Sequence, residues 1–278
     1  MIKINNGLNT FLDAAGKTLK TAPKLYDDLV QPTAKQLGKT LELIPRSINA
    51  ALSPAWNWVI HREYNMAETE KLLSEKLKNV DPNKIVQPEA YVAVPALQAI
   101  SYSMNNDELR NLYANLLSKS MNVDTKDSVH PSFVEIIKQM SPLEANLLKQ
   151  FNDENKNSFP IGKIRLQISE NNDEGVEWLL HIIDHKFGMK LSNYTQYSVS
   201  LENLQRLQLI TIDYKTRFVN KSLYSEIENG DIVNHCKTSG PSLHKYYKYP
   251  KFVEGQFSIT NLGREFISFR GTTLPTQN

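Results

Sequence analysis

Two histidines four residues apart, His181 and His185, open the search for chemistry in this chain. On a helix that spacing puts both imidazoles on one face, where they can hold zinc once a distant third ligand arrives. Asp184 stands beside them, and His235, Cys236 and His244 follow in the same region. Zinc on these residues is the one cofactor the sequence suggests. The plainer reading is two half-exposed histidines on the polar side of an amphipathic helix, since Asp184 is not where the glutamate of a zinc protease would stand.

A second group is basic and aromatic: Lys237, then His244, Lys245, Tyr246, Tyr247, Lys248, Tyr249, Pro250 and Lys251. Lysines can take phosphates while tyrosines stack on bases, which suits a nucleic-acid surface. The competing reading is an exposed strand whose lysines blunt an edge. A third group is an apolar stripe through Leu41, Ile44, Ile48, Leu52, Trp56 and Val59, with Trp58 beside it and Lys35, Lys39 and Arg46 nearby. Tryptophan is favoured at bilayer interfaces, so the stripe fits a membrane- or partner-binding element, or simply a core face. Other chemistries find little support. Gly162-Lys163-Ile164 lacks the upstream glycine and the hydroxyl of a phosphate-binding loop. His130-Pro131 invites a catalytic reading, but a histidine beside a helix start more often caps or packs.

The elements that must position these groups fall into three regions. Residues 1–80 read as short amphipathic helices cut by Pro23, Pro32, Pro45 and Pro54, each of which forbids an internal hydrogen bond. Asp81-Pro82 and Gln87-Pro88 make a linker into a central helical block, residues 81–151. In that block a segment starts at Val94-Pro95. A helix over Asn106 to Met121 then carries Leu109, Leu112, Tyr113, Leu116, Leu117 and Met121 as one stripe, with Asn106 as its cap. Pro131 opens another helix, lined by Phe133, Ile136, Ile137 and Met140. Ser141-Pro142-Leu143-Glu144 has the capping hydroxyl, first-turn proline and returning carboxylate of a capping box, followed by the stripe Leu143, Leu147, Leu148 and Phe151.

Beyond the polar linker at Asn152–Ser158 the pattern changes, and residues 158–278 read as a separate α+β domain. Ile164, Leu166 and Ile168 alternate as a short strand. Val176 to Phe187 reads as a helix with Val176, Leu179, Leu180, Ile183 and Phe187 inside. Ser200 to Ile210 reads as a capped helix running into a strand, and Phe257 to Phe266 as a strand followed by a capped helix. That order predicts a winged-helix-like domain with a long insertion, about 213–256, although Gln208 stands where many such domains have glycine. The expected fold class is thus mainly α: helical N-terminal and central regions followed by a winged-helix-like α+β domain.

Composition bounds the rest. With 278 residues and a formal charge of +2, the chain is long enough for two domains and has no global field to recruit nucleic acid or acidic lipid. Cys236 is the single cysteine, which excludes an intrachain disulfide and fits a reducing cytoplasm. The first dozen residues lack the apolar core of a signal peptide, and no run reaches the roughly 20 apolar residues a spanning helix needs. The expected location is the cytoplasm, with peripheral contact at the inner membrane if the apolar stripe docks there.

The run Val94-Pro95-Ala96-Leu97-Gln98-Ala99, then Glu108 to Leu117, then His130 to Pro142, resembles the bacterial abortive-infection alpha family. The resemblance is dense there and looser over most of the chain. It implies a protein grouped with phage-exclusion systems and brings no catalytic residues with it. The expectation that follows is a non-enzymatic component of phage defence acting through a protein partner, a phage component or a membrane. Its rivals are a nucleic-acid-binding regulator and a metal-dependent nuclease with an irregular site.

Overall fold

Backbone contacts divide the chain into two compact units, residues 1–138 and 139–278. The computed structural model describes residues 47–48, 50–52, 64–103, 106–154, 156–243 and 245–268. In the first unit the described helices include α1 (Tyr64–Leu77), α2 (Ala90–Tyr102), α3 (Asp107–Ser120) and α4 (Ser132–Lys138). The centre is α3, against which α1, α2 and α4 all pack. Its start is fixed locally: Asn106 Oδ1 accepts the Leu109 N–H at 3.0 Å, and Asp107 and Glu108 sit at the positive end of the dipole. Leu112, Tyr113, Leu116, Leu117 and Met121 are buried, as their spacing predicts. Ile85 and Val86, in the expected linker, are tied down too, because the Val86 N–H donates to the Met121 carbonyl at 2.8 Å.

One start in this unit differs from expectation. Pro95 does not open α2 but lies inside it, after a first turn that begins at Ala90. An internal proline costs about 3 kcal/mol. Val92, Ala93, Ala96, Leu97 and Ile100 are all buried along the same helix, and at roughly 1.5–3 kcal/mol for each large side chain their burial outweighs that cost.

The second unit begins with α5 (Pro142–Asp153). Its capping box is complete: Ser141 Oγ accepts the Glu144 N–H at 3.3 Å and Glu144 Oε2 accepts the Ser141 N–H at 2.8 Å. Then come β1 (Ser158–Ser169), β2 (Asn172–Ile182), α6 (Tyr194–Arg206), β3 (Ile210–Asp213), α7 (Ser225–Glu228), α8 (Asp231–Leu243), β4 (Tyr249–Ile259) and α9 (Asn261–Ser268). The strands form one antiparallel sheet in the order β2-β1-β4-β3. Its core at one end is a phenylalanine cluster of Phe151, Phe159, Phe187 and Phe257, with ring centroids 4.9–5.9 Å apart. Gly162 in β1 is where the Phe252 ring crosses the strand; a Cβ there would lie 2.1 Å from the ring.

This sheet overturns two expectations. The protein is mixed α+β rather than mainly α, because β1, β2 and β4 each run for eleven or twelve residues. The α+β character of the C-terminal part holds, but the helix expected over Val176 to Phe187 is an edge strand followed by a 3-10 turn at His185–Phe187. The winged-helix arrangement that depended on it goes with it. The reason for the misreading is physical: β2 is wet on both faces for most of its length, so it has no period-two pattern, while its few apolar residues happen to fall at helical spacing. Likewise the expected insertion at 213–256 contains α7, α8 and most of β4, a central strand of the sheet.

Two backbone positions adopt the left-handed conformation without glycine, His181 and Gln208, each with φ of 60°. Gln208 closes α6 in a Schellman motif. The Leu209 N–H donates to the Leu204 carbonyl at 3.0 Å, the Gln208 N–H to the Gln205 carbonyl at 2.9 Å, and the Leu204 and Leu209 side chains are both fully buried.

Candidate functional site

Within β1, Lys163, Arg165 and Gln167 alternate with Ile164, Leu166 and Ile168, so they share a face. On β4, Lys251 pairs directly with Arg165, and Tyr249 with Gln167. Two cations directly opposite each other across a sheet repel, and their side chains need a shared anion. The start of β2, just past the hairpin turn, supplies a carboxylate for Lys251 and a carbonyl for Arg165. Asp173 Oδ1 accepts from Lys251 Nζ at 2.7 Å and from Gln167 Nε2 at 3.1 Å, while Arg165 Nη2 reaches the Asp173 backbone carbonyl at 3.3 Å. The Lys251 ammonium first, and then the Gln167 amide, hold the Asp173 carboxyl below the usual carboxylate range.

A loop after β3 walls the other side. Tyr214 is pinned by its hydroxyl, which donates to the Gly162 carbonyl at 3.4 Å and accepts the His181 N–H at 3.0 Å. Farther along, buried Tyr224 donates to the Gly255 carbonyl at 2.8 Å and accepts the Phe218 N–H at 3.0 Å. The loop between these two anchors carries Lys215, Arg217 and Lys221 over β4, where Lys221 and Arg217 pair with Glu254. Together these groups line a cavity of about 590 Å³ that is open to solvent, with five basic side chains and the carboxylates of Asp173, Glu228 and Glu254 around it. At its floor Gln167 is 1% exposed, and its Oε1 has no hydrogen-bond partner among the described residues. A buried acceptor left without a donor costs roughly 1–3 kcal/mol, so it is an unusual thing to find in a wall of the cavity.

The residues singled out from sequence lie elsewhere, with one exception. Lys251 is in the cavity wall. Lys245 and Tyr246 are exposed before β4, with the Lys245 ammonium 5.3 Å from the Tyr246 ring centre. Tyr247 is half-buried, and the Lys248 N–H donates to the Gln167 carbonyl at 2.9 Å. Tyr249 is exposed at the first position of β4.

His181 and His185 do not share a helix face, since the strand ends between them at Ile182. His181 is buried, with Nδ1 3.1 Å from the Tyr214 hydroxyl and Nε2 3.6 Å from Glu202, and burial holds its pKa below the ordinary value. His185 is exposed beside Asp184, with Glu226 at 3.9 Å. His235 is exposed on α8, whereas neighbouring Cys236 is fully buried, its thiol pushed up to about 11 by desolvation. His244 lies outside the described residues. Among the described residues no group of three or more His, Cys, Asp or Glu side chains could hold a metal ion. His130 caps α4: its Nδ1 accepts the Ser132 N–H at 3.2 Å, and its ring lies against Phe133.

Of the apolar stripe, Ile48 and Leu52 are both fully buried. Leu41, Ile44, Trp56, Trp58 and Val59 lie outside the described residues. No helix among the described residues is long and apolar enough to cross a membrane.

Sequence reasoning missed Arg165, Gln167, Asp173, Tyr214, Lys215, Arg217 and Lys221. One signal was available. The alternation that marks Ile164, Leu166 and Ile168 as a strand leaves Lys163, Arg165 and Gln167 as its other face, and three long polar side chains in an inner strand need partners. Residues 61–269 match the model of a family described as abortive infection alpha. Neither the curated proteins nor the solved structures contain a match to the chain.

Proposed function

Since the chain belongs to the abortive infection alpha family, we propose that it acts in phage exclusion as a non-catalytic binding component, in which the second unit meets an anionic phage or host partner at the β1–β4 cavity. The observation that carries this reading is the convergence of three side chains on one exposed residue, Asp173: Lys251 and Gln167 on its carboxylate and Arg165 on its backbone carbonyl. These are groups that hold an anion by charge and hydrogen bonding. Two of the three acidic groups near them are engaged as counter-ions: Asp173 by Lys251, and Glu254 by Lys221 and Arg217. The cytoplasm is the place where such a component meets phage products.

The reading is tested by plating phage on cells with and without this gene while following RNA integrity and membrane potential. The intact gene is expected to lower plating, and a chain carrying Arg165→Glu and Lys251→Glu is expected to restore it. Unchanged protection by that variant overturns the role of the cavity. RNA cleavage by the purified chain overturns the non-catalytic part.

A further inference from the structure

Three features of the cavity narrow the kind of anion it takes. Asp173 belongs to the chain, yet it sits as a ligand would, with one carboxylate oxygen shared by an ammonium and an amide, and its backbone carbonyl on a guanidinium. Its side chain is 84% exposed, and exposed ion pairs contribute little, so a stronger anion can displace it. When its carboxylate leaves, Lys251 is freed across the sheet from Arg165, whose Nη2 also rests on the Gly175 carbonyl and whose Nε faces Glu177, and the two cations can take a phosphate between them.

Gln167 adds a second demand. With Asp173 displaced, its Nε2 is released next to the unpartnered Oε1, giving a donor and an acceptor side by side on one buried amide. That pair reads a neutral group with adjacent donor and acceptor, as the edge of a nucleobase presents, in the way glutamine reads adenine. Free phosphate or a phosphorylated side chain has no such group to offer. A long nucleic-acid strand is disfavoured by the rim itself, since Asp173, Glu228 and Glu254 place three carboxylates among the cations. The cavity volume of about 590 Å³ lies in the roughly 300–1,000 Å³ range of small-ligand sites.

We propose that this cavity binds a free nucleoside phosphate, with the phosphate on Arg165 and Lys251 in place of Asp173 and the base on the Gln167 amide. The proposal deepens the binding reading above and rests on the same cavity. The Asp173 carboxylate is then a built-in competitor that occupies the Lys251 ammonium and the Gln167 amide until the nucleotide arrives.

The test is calorimetric titration of the full chain with AMP, ATP, inorganic phosphate and a 20-nucleotide single strand. AMP or ATP is expected to bind at least tenfold more tightly than inorganic phosphate. Arg165→Ala with Lys251→Ala should remove binding of both. Gln167→Met should weaken the nucleotide severalfold while leaving inorganic phosphate unchanged. Asp173→Asn, a change at an exposed position at the start of β2, should tighten nucleotide binding severalfold. Each variant is checked for an unchanged melting transition. No nucleotide binding by the folded chain overturns the proposal, as does tighter binding of the single strand, or binding of phosphate and nucleotide that is equal and indifferent to Gln167. The phage-plating assay separates the two readings. Protection that depends on Arg165 and Lys251 without nucleotide binding sinks only the nucleotide. Nucleotide binding without any effect on plating sinks only the role in exclusion.

Discussion

Helix α3 and strand β1 are each the inner element of their own unit, and they bury different things. Around α3 the covered side chains from Leu112 to Met121 are apolar or small except for Asn115, and serines such as Ser118 and Ser120 turn their hydroxyls back onto carbonyls three residues earlier. Along β1 the face that starts with Phe159 and Ile161 in the core continues into Lys163, Arg165 and Gln167. A helix satisfies its own backbone, so its buried face is free to be purely apolar. A strand is satisfied by neighbours, and β1 takes its neighbours from the hairpin beside it and from β4 about 90 residues on. That is why the polar cavity forms on the sheet: only there are side chains from 165, 173, 217 and 251 brought to one place.

The sharpest way to break this contrast is at its two centres. Leu116→Ala in α3 removes a side chain that is 1% exposed and is expected to destabilise the first unit by about 2–5 kcal/mol in denaturant titration. A loss well under 1 kcal/mol would mean that α3 is not the packed centre. Next in size is the start of α5, where Ser141→Ala removes one half of the capping box and should cost about 1 kcal/mol.

The end of α6 offers a change of opposite sign. Gln208 holds φ of 60° at the position where glycine carries no steric penalty, so Gln208→Gly should stabilise the second unit by about 0.5–1 kcal/mol. A destabilised variant would show that the Gln208 side chain is needed where it lies.

His181 gives a smaller effect confined to a pH window. Burial lowers its pKa, with Glu202 opposing and Lys163 assisting, so the folded state resists the proton that the unfolded state accepts. Its contribution is therefore present above the unfolded value near 6.5 and is lost as pH falls below it. His181→Asn, which tolerates the left-handed backbone, should flatten stability against pH below that point. An unchanged profile would remove His181 as the titrating group. The smallest expected change in stability is that of Arg165→Ala, under about 1 kcal/mol, since its ion pair with Glu177 is partly solvated. Its binding phenotype should be large all the same, and a variant that unfolds would make Arg165 part of the core and collapse the contrast between the two centres.

What the amino-acid sequence determined by itself is whatever depends on residues within four positions of one another. The stripe of α3, the Asn106 cap and the Ser141–Glu144 capping box were readable for that reason, and so was the family, whose resemblance is densest over these same helices. Proline at position 95 was readable as a break and misled, because burial of Val92, Leu97 and Ile100 outweighed its local cost. The tertiary structure alone decided β2, whose exposed faces carry no alternation and whose strand form depends on pairing with β1. It also decided that Lys251 faces Arg165, that Asp173 closes on both, and that the amide of Gln167 lies buried with one end unpaired. Those juxtapositions follow from strand register, which is set by hydrogen bonds between segments far apart in the chain, and no local spacing of residues encodes them.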